Sequence, residues 1–164
     1  MTTIGLLHPG RMGAAVGRQL VGQGHRVLWD PAGRSAATAE RAEAAGLDRA
    51  GDLTATCEVI ISLCPPASAE QVADGVTGFA GIFVEANAIS PARMRQIAAV
   101  HDRVVDGCVI GPPPPEATGA RLYLSGAGED VETVAALFEG TAVEAVAIEG
   151  GAGQAGDEVH GTRR

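Results

Sequence analysis

The chain has 164 residues, 46% of them hydrophobic and 20% charged, which fits one globular domain with its own core and excludes a disordered composition. All 12 basic residues are arginines, no lysine is present, and the formal charge of −8 excludes the basic surface that a nucleic-acid partner requires. No apolar run approaches the roughly eighteen residues that would span a membrane, so no membrane partner is expected.

Taken in chain order, the sequence predicts a buried strand over Thr3–His8 and a Pro9-Gly10 turn. A helix over Met12–Val21 follows, with Met12, Val16 and Leu20 on one face. Gly22 and Gly24 end it, and His25–Trp29 is a second strand closed by Asp30-Pro31. Ser35 caps an Ala-rich helix that stops near Gly46. Glu58–Leu63 is an apolar strand halted by Cys64-Pro65-Pro66, followed by a helix over Ser68–Asp74 and a strand over Ile82–Ala86. Ser90-Pro91 starts a helix that runs to about His101, and Arg103–Val109 is the next strand. After the Gly111-Pro112-Pro113-Pro114-Pro115 loop come a strand over Arg121–Ser125, a helix over Asp130–Glu139 and a strand over Ala142–Ile148. Glu129, Asp130 and Glu132 at that helix start are expected to form a solvated face.

Strands alternating with helices through short loops predict an α/β fold: a doubly wound, mostly parallel Rossmann-type sheet with helices on both faces. The three cysteines, Cys57, Cys64 and Cys108, form no C-x-x-C pair, so no metal site is expected. Their odd count suits a reducing cytoplasm, and the opening Met1-Thr2-Thr3-Ile4 carries no signal-peptide pattern.

The first strand runs directly into His8-Pro9-Gly10-Arg11-Met12-Gly13 and then a helix. A dinucleotide-binding fingerprint would place glycine at 8, 10 and 13, and this chain has the second and third. Gly10 lets the backbone approach a pyrophosphate, Gly13 lets the helix pack closely, and helix N-terminal N–H groups face the phosphates. The tight turn falls to His8-Pro9, since proline presets its own φ. Asp30, 17 residues after Gly13, ends the second strand, where an acid accepts hydrogen bonds from the adenosine ribose. Arg34-Ser35 follows at the next helix start, where a guanidinium and a hydroxyl can hold a 2′-phosphate. Asp30 suits NAD and Arg34-Ser35 suits NADP. The reading favours NADP(H), with NAD as the alternative.

The chain resembles the N-terminal domain of the β-hydroxyacid dehydrogenases, the 3-hydroxyisobutyrate and 6-phosphogluconate dehydrogenase superfamily. Four blocks in order carry the likeness: Ile4 to Gly13, Ile61 to Pro66, Val84 to Pro91 and Val105 to Gly111. The resemblance implies an NAD(P)-dependent oxidoreductase. It also implies that Cys64 and Pro65 lie along the cofactor and that Asn87 approaches the nicotinamide. The cofactor-site expectation is therefore Pro9, Gly10, Arg11, Met12, Gly13, Asp30, Arg34, Ser35, Cys64, Pro65 and Asn87.

Two departures bear on catalysis. The family's Ser-Gly-Gly substrate block is replaced by Ile110-Gly111-Pro112, and the family's catalytic lysine has no counterpart in a chain without lysine. No catalytic residue is assigned; His8, His25 and His101 read as structural, His160 as a solvated tail residue, and Asp106 as either a turn cap or a cleft acid. Residues 1–149 are expected to form the NAD(P)-binding domain, with 150–164 a flexible tail or the start of a helical C-terminal domain. The alternative is a non-catalytic NAD(P)-binding module, or a truncated remnant. The small-molecule substrate is not legible. A domain cut from a two-domain enzyme is expected to expose an apolar patch at its last strand and to form homo-oligomers.

Overall fold

The strands form where β-branched and leucine-rich runs predict them, each trimmed where it meets a turn. The computed structural model describes residues 1–114 and 119–153. Strands β1 (Thr3–Leu6), β2 (Arg26–Trp29), β4 (Val59–Ser62), β5 (Ile82–Glu85) and β6 (Val104–Ile110) alternate with helices α1 (Arg11–Gly22), α2 (Ala36–Ala44), α4 (Ala69–Asp74) and α5 (Pro91–Ala98). β7 (Ala120–Gly126), α6 (Gly128–Leu137) and β8 (Val143–Ala147) complete the chain. Two short elements carried no periodic signal in the sequence: β3 (Asp48–Arg49) and the single turn α3 (Leu53–Thr56). Asp52 starts that turn by accepting the Ala55 N–H at 3.2 Å.

All eight strands join one sheet in the order β3-β2-β1-β4-β5-β6-β7-β8. β1 to β6 are parallel, because every connection among them carries a helix that crosses back over the sheet. β7 runs antiparallel to β6, because the connection between Ile110 and Ala120 is too short for a crossover. β8 then pairs parallel with β7 through α6.

Side-chain alternation along the strands sorts the core into two layers. Ile4, Leu6, Val59, Ile61, Val84 and Val105 pack beneath α1 and α6 with Val16, Leu20 and Val134. Leu28, Ile60 and Phe83 face the other way, against Leu53, Met94 and Ile97. Ser35 and Ser90 cap α2 and α5 as expected, accepting the Thr38 N–H at 3.2 Å and the Arg93 N–H at 3.4 Å. Among the described residues no helix is long and apolar enough to cross a membrane.

One expectation is corrected. Asp130 is not part of a solvated face: it is buried, and Arg103 Nε donates to it at 3.1 Å across the gap between β6 and α6. On β8 the burial is mixed, and Ala147 is exposed. Val143 is buried, Ala145 and Val146 are half-buried, and Glu144 pairs with Arg121 at 2.9 Å. His160 lies outside the described residues.

Candidate functional site

β1 ends at Leu6, and the chain crosses to α1 through four residues. The Gly10 N–H donates to the His8 carbonyl at 2.8 Å, closing a three-residue turn over Pro9. The tight turn is thus made where the first fingerprint glycine would stand. Gly10 caps α1 in extended conformation with no side-chain cap, so the first-turn N–H groups of Arg11, Met12 and Gly13 keep no protein acceptor from a cap.

The two glycines do different work. A Cβ on Gly13 would lie 2.4 Å from the His8 carbonyl oxygen, so only glycine lets α1 settle onto the turn. A Cβ on Gly10 would meet nothing but the His8 ring, at 3.3 Å. Gly10 is therefore open on the side from which a phosphate would approach.

This turn sits at the point where the sheet order reverses between β1 and β4, beyond the carboxyl ends of the parallel strands. A cavity of about 560 Å³ opens on the β2 side, with Asp30, Arg34, Asp52 and Thr54 among its walls. A second, of about 330 Å³, opens on the β5 side along Gly10–Gly13, Ala86 and Asn87. His8, Cys64 and Pro65 line both, so the two form one trough across the turn. Both volumes fall in the range of small-molecule sites. Pro9 and Ser35 do not line the trough: Pro9 is buried under the turn, and the Ser35 hydroxyl is held by Thr38 at 3.0 Å.

Positive charge gathers here despite the acidic chain. Arg34 donates from Nη2 to the Leu7 carbonyl at 2.9 Å and from Nη1 to His8 Nδ1 at 3.2 Å. Arg41 donates from α2 to the Pro9 carbonyl at 3.1 Å. Among the described residues neither guanidinium has a carboxylate within salt-bridge distance, whereas five other arginines do. Partial burial, then Arg34 and Arg41, push His8 below the ordinary histidine pKa. Sequence reading did not find Arg41, although its position three residues after the buried Thr38 puts it on the docked side of α2. Asp30 Oδ1 accepts the Ala32 N–H at 2.8 Å, which fixes the corner, and Asp30 stands in the wall of the β2-side cavity.

Beneath the β5 side lies a buried polar network. Ser62, Glu85, Asp106 and Ser125 stand in register on four neighbouring strands, all buried. Glu85 Oε1 accepts both the side-chain and the backbone N–H of Asn87, the latter at 3.2 Å. With its Nδ2 fixed there and on Ser62 Oγ at 3.2 Å, Asn87 must turn Oδ1 outward, where it accepts the Cys64 N–H at 2.8 Å. Asn87 therefore clamps the Cys64-Pro65 loop to the end of β5. Burial pushes the Cys64 thiol above the ordinary range, and the side chain stands in the wall of both cavities. Asp106 accepts the Gly153 N–H at 2.9 Å, tying the last described residues to this layer.

The other two histidines among the described residues are structural. His101 is buried, stacks on Phe83 at 4.5 Å and meets the Ala73 carbonyl at 3.2 Å; His25 Nδ1 accepts the Thr2 N–H at 3.2 Å.

No family model and no curated protein sequence matches the chain. Solved structures do. A conserved protein of unknown function, described as structurally similar to 3-hydroxyacid dehydrogenases, superposes with a TM-score of 0.84 at 24% identity, over 94% of this chain and 60% of its own. The 3-hydroxyisobutyrate dehydrogenase of Mycobacterium tuberculosis, solved with L-serine, gives 0.82 at 25% identity over 98% and 58%. An imine reductase from Aspergillus terreus, solved with NADPH4, gives 0.80 at 22% over 99% and 60%. The chain spans about 60% of the length of these proteins. It has the fold of the N-terminal domain of 3-hydroxyacid dehydrogenase-like proteins, which is the resemblance its sequence blocks carry.

Proposed function

We propose that the chain holds a nicotinamide dinucleotide across the trough, as the cofactor-binding part of an NAD(P)-dependent oxidoreductase, with NADP(H) preferred. One observation carries the reading: a glycine-capped helix N-terminus at the sheet's switch point, flanked by two guanidinium groups that have no carboxylate partner among the described residues. The first-turn N–H groups of α1 would take the pyrophosphate, Asp30 the adenosine ribose, and Arg34 a 2′-phosphate. The Cys64-Pro65 wall and the Asn87 clamp would shape the nicotinamide side. When bound, such a cofactor supplies or accepts hydride. The solved relatives with NADPH4 and L-serine support this class of chemistry.

Residues 1–149 would form the dinucleotide-binding unit. No group in it is assigned to move a proton to or from a substrate, and lysine is absent from all 164 residues. Ile110, 40% exposed, offers no hydrogen bond to a substrate. These two facts favour a second reading, a dinucleotide-binding module without catalysis of its own.

Gly10→Val tests the placement. Its branched side chain would stand in the open approach to the α1 N–H groups, and calorimetry is expected to show at least a tenfold loss of dinucleotide affinity with little change in stability. Unchanged affinity would move the pyrophosphate elsewhere. Arg34→Ala tests the preference. NADP binding is expected to weaken by about 1.5–3 kcal/mol, the scale of hydrogen bonds to a charged group, with NAD little affected. Equal losses for the two would make Arg34 a prop for the turn through Leu7 and His8.

A further inference from the structure

His8 occupies the position of a fingerprint glycine and lies in the walls of both cavities, so its ring stands where the two halves of a dinucleotide would meet. Its contact with Arg34 bears on its protonation state. A guanidinium has only donors, so read as a hydrogen bond the 3.2 Å contact makes His8 Nδ1 the acceptor and assigns the proton to Nε2 of a neutral ring. A doubly protonated ring cannot keep that bond. Imidazolium and the Arg34–His8 contact exclude each other.

The surroundings set the direction. Partial burial first, and then Arg34 from the β2–α2 loop and Arg41 from α2, disfavour a charge on His8. Arg11 opens α1 on the same trough. Asp30 and Asp52 line the cavity from β2 and α3, but each is engaged locally, by the Ala32 N–H and by the Thr54 hydroxyl and Ala55 N–H. Cys64, the remaining titratable wall, is held neutral by burial.

We propose that Arg34 and His8 form a proton-linked latch: a 2′-phosphate draws the guanidinium off His8 Nδ1, and the freed imidazole takes up a proton beside the pyrophosphate. This rests on the dinucleotide reading above. NAD(H), which lacks the 2′-phosphate, leaves Arg34 on His8 Nδ1, where it opposes the pyrophosphate's pull toward the imidazolium. The two cofactors then differ in the proton they bring with them as well as in contacts. His8 becomes a specificity residue that no charge-pairing rule at the end of β2 would name, because its response is relayed by Arg34.

The test reads the ring directly. The imidazole Cε1–H signal of His8, assigned by its loss in His8→Gln, is followed by NMR from pH 5 to 8 in free protein and with saturating NAD⁺ or NADP⁺. The expected midpoint lies below the ordinary value of about 6.5 in the free protein, rises only partly with NAD⁺ through the shared pyrophosphate, and lies above 6.5 with NADP⁺. In Arg34→Ala the free midpoint should rise, and the difference between the cofactors should vanish. Identical midpoints with both dinucleotides, or a free midpoint indifferent to Arg34→Ala, would overturn the latch. If both dinucleotides bind while His8 stays put, only the latch falls. If neither binds, the cofactor reading falls and takes the latch with it.

Discussion

Gly13→Ala is expected to cost the protein about 1–3 kcal/mol of stability and to reduce dinucleotide affinity by about 10- to 150-fold. The stability term is that of an extra methyl group forced into a packed site. The added carbon would lie 2.4 Å from the His8 carbonyl oxygen, and that oxygen belongs to backbone, which cannot rotate away. Either α1 lifts from the turn or the turn shifts beneath it. Both movements displace the Arg11–Gly13 N–H groups from the Gly10 entrance. The affinity term corresponds to losing one hydrogen bond to a charged phosphate, about 1.5–3 kcal/mol. Chemical denaturation and calorimetry on the same preparation check the pair. A variant that is destabilised but binds normally would show that these N–H groups do not hold the cofactor. Gly10→Val is the informative contrast, because its obstruction faces the trough and not the fold.

Glu85→Gln is expected to stabilise the protein above pH 7 and to leave it nearly unchanged near pH 4. Glu85 is wholly buried, and its Oε2 has no hydrogen-bond partner among the described residues. Burial, with the neighbouring Asp106 adding to it and the Asn87 bonds opposing, pushes its carboxyl up to about 7 from 4.5. The sign follows from linkage. Below the unfolded value both states hold the proton, and stability is intact. Between 4.5 and about 7 the unfolded chain releases it while the folded chain does not, so stability falls as pH rises. Above that window the loss is complete, about 3 kcal/mol in scale. Glutamine keeps an oxygen for the two Asn87 N–H groups and carries no charge to desolvate. The melting temperatures of the two proteins should therefore coincide near pH 4 and diverge by roughly 5–10 °C at pH 8. A gap of equal size at both pH values would assign the effect to packing, and no gap at either would refute the buried-proton account.

The sequence by itself determined the sheet and the central turn. Strand–helix alternation with short connections leaves a parallel, doubly wound order as the ready solution, since each helical crossover must return over the sheet in the same hand. The His8-Pro9-Gly10-Arg11-Met12-Gly13 turn was legible because a turn, a helix start and two glycines are local events, encoded within six residues. The capping roles of Ser35 and Ser90 were legible for the same reason. Tertiary structure alone decided the rest. Arg41 reaches Pro9 only because α2 docks where it does, and the buried Asp130 of α6 finds its partner in Arg103, which stands just before β6. The Ser62–Glu85–Asp106–Ser125 row exists through strand register, and Asn87 became a clamp because β5 ends beside Cys64. Periodicity tells a residue which face it occupies. It does not say which distant residue shares that face, and a buried charge or amide takes its role from that partner.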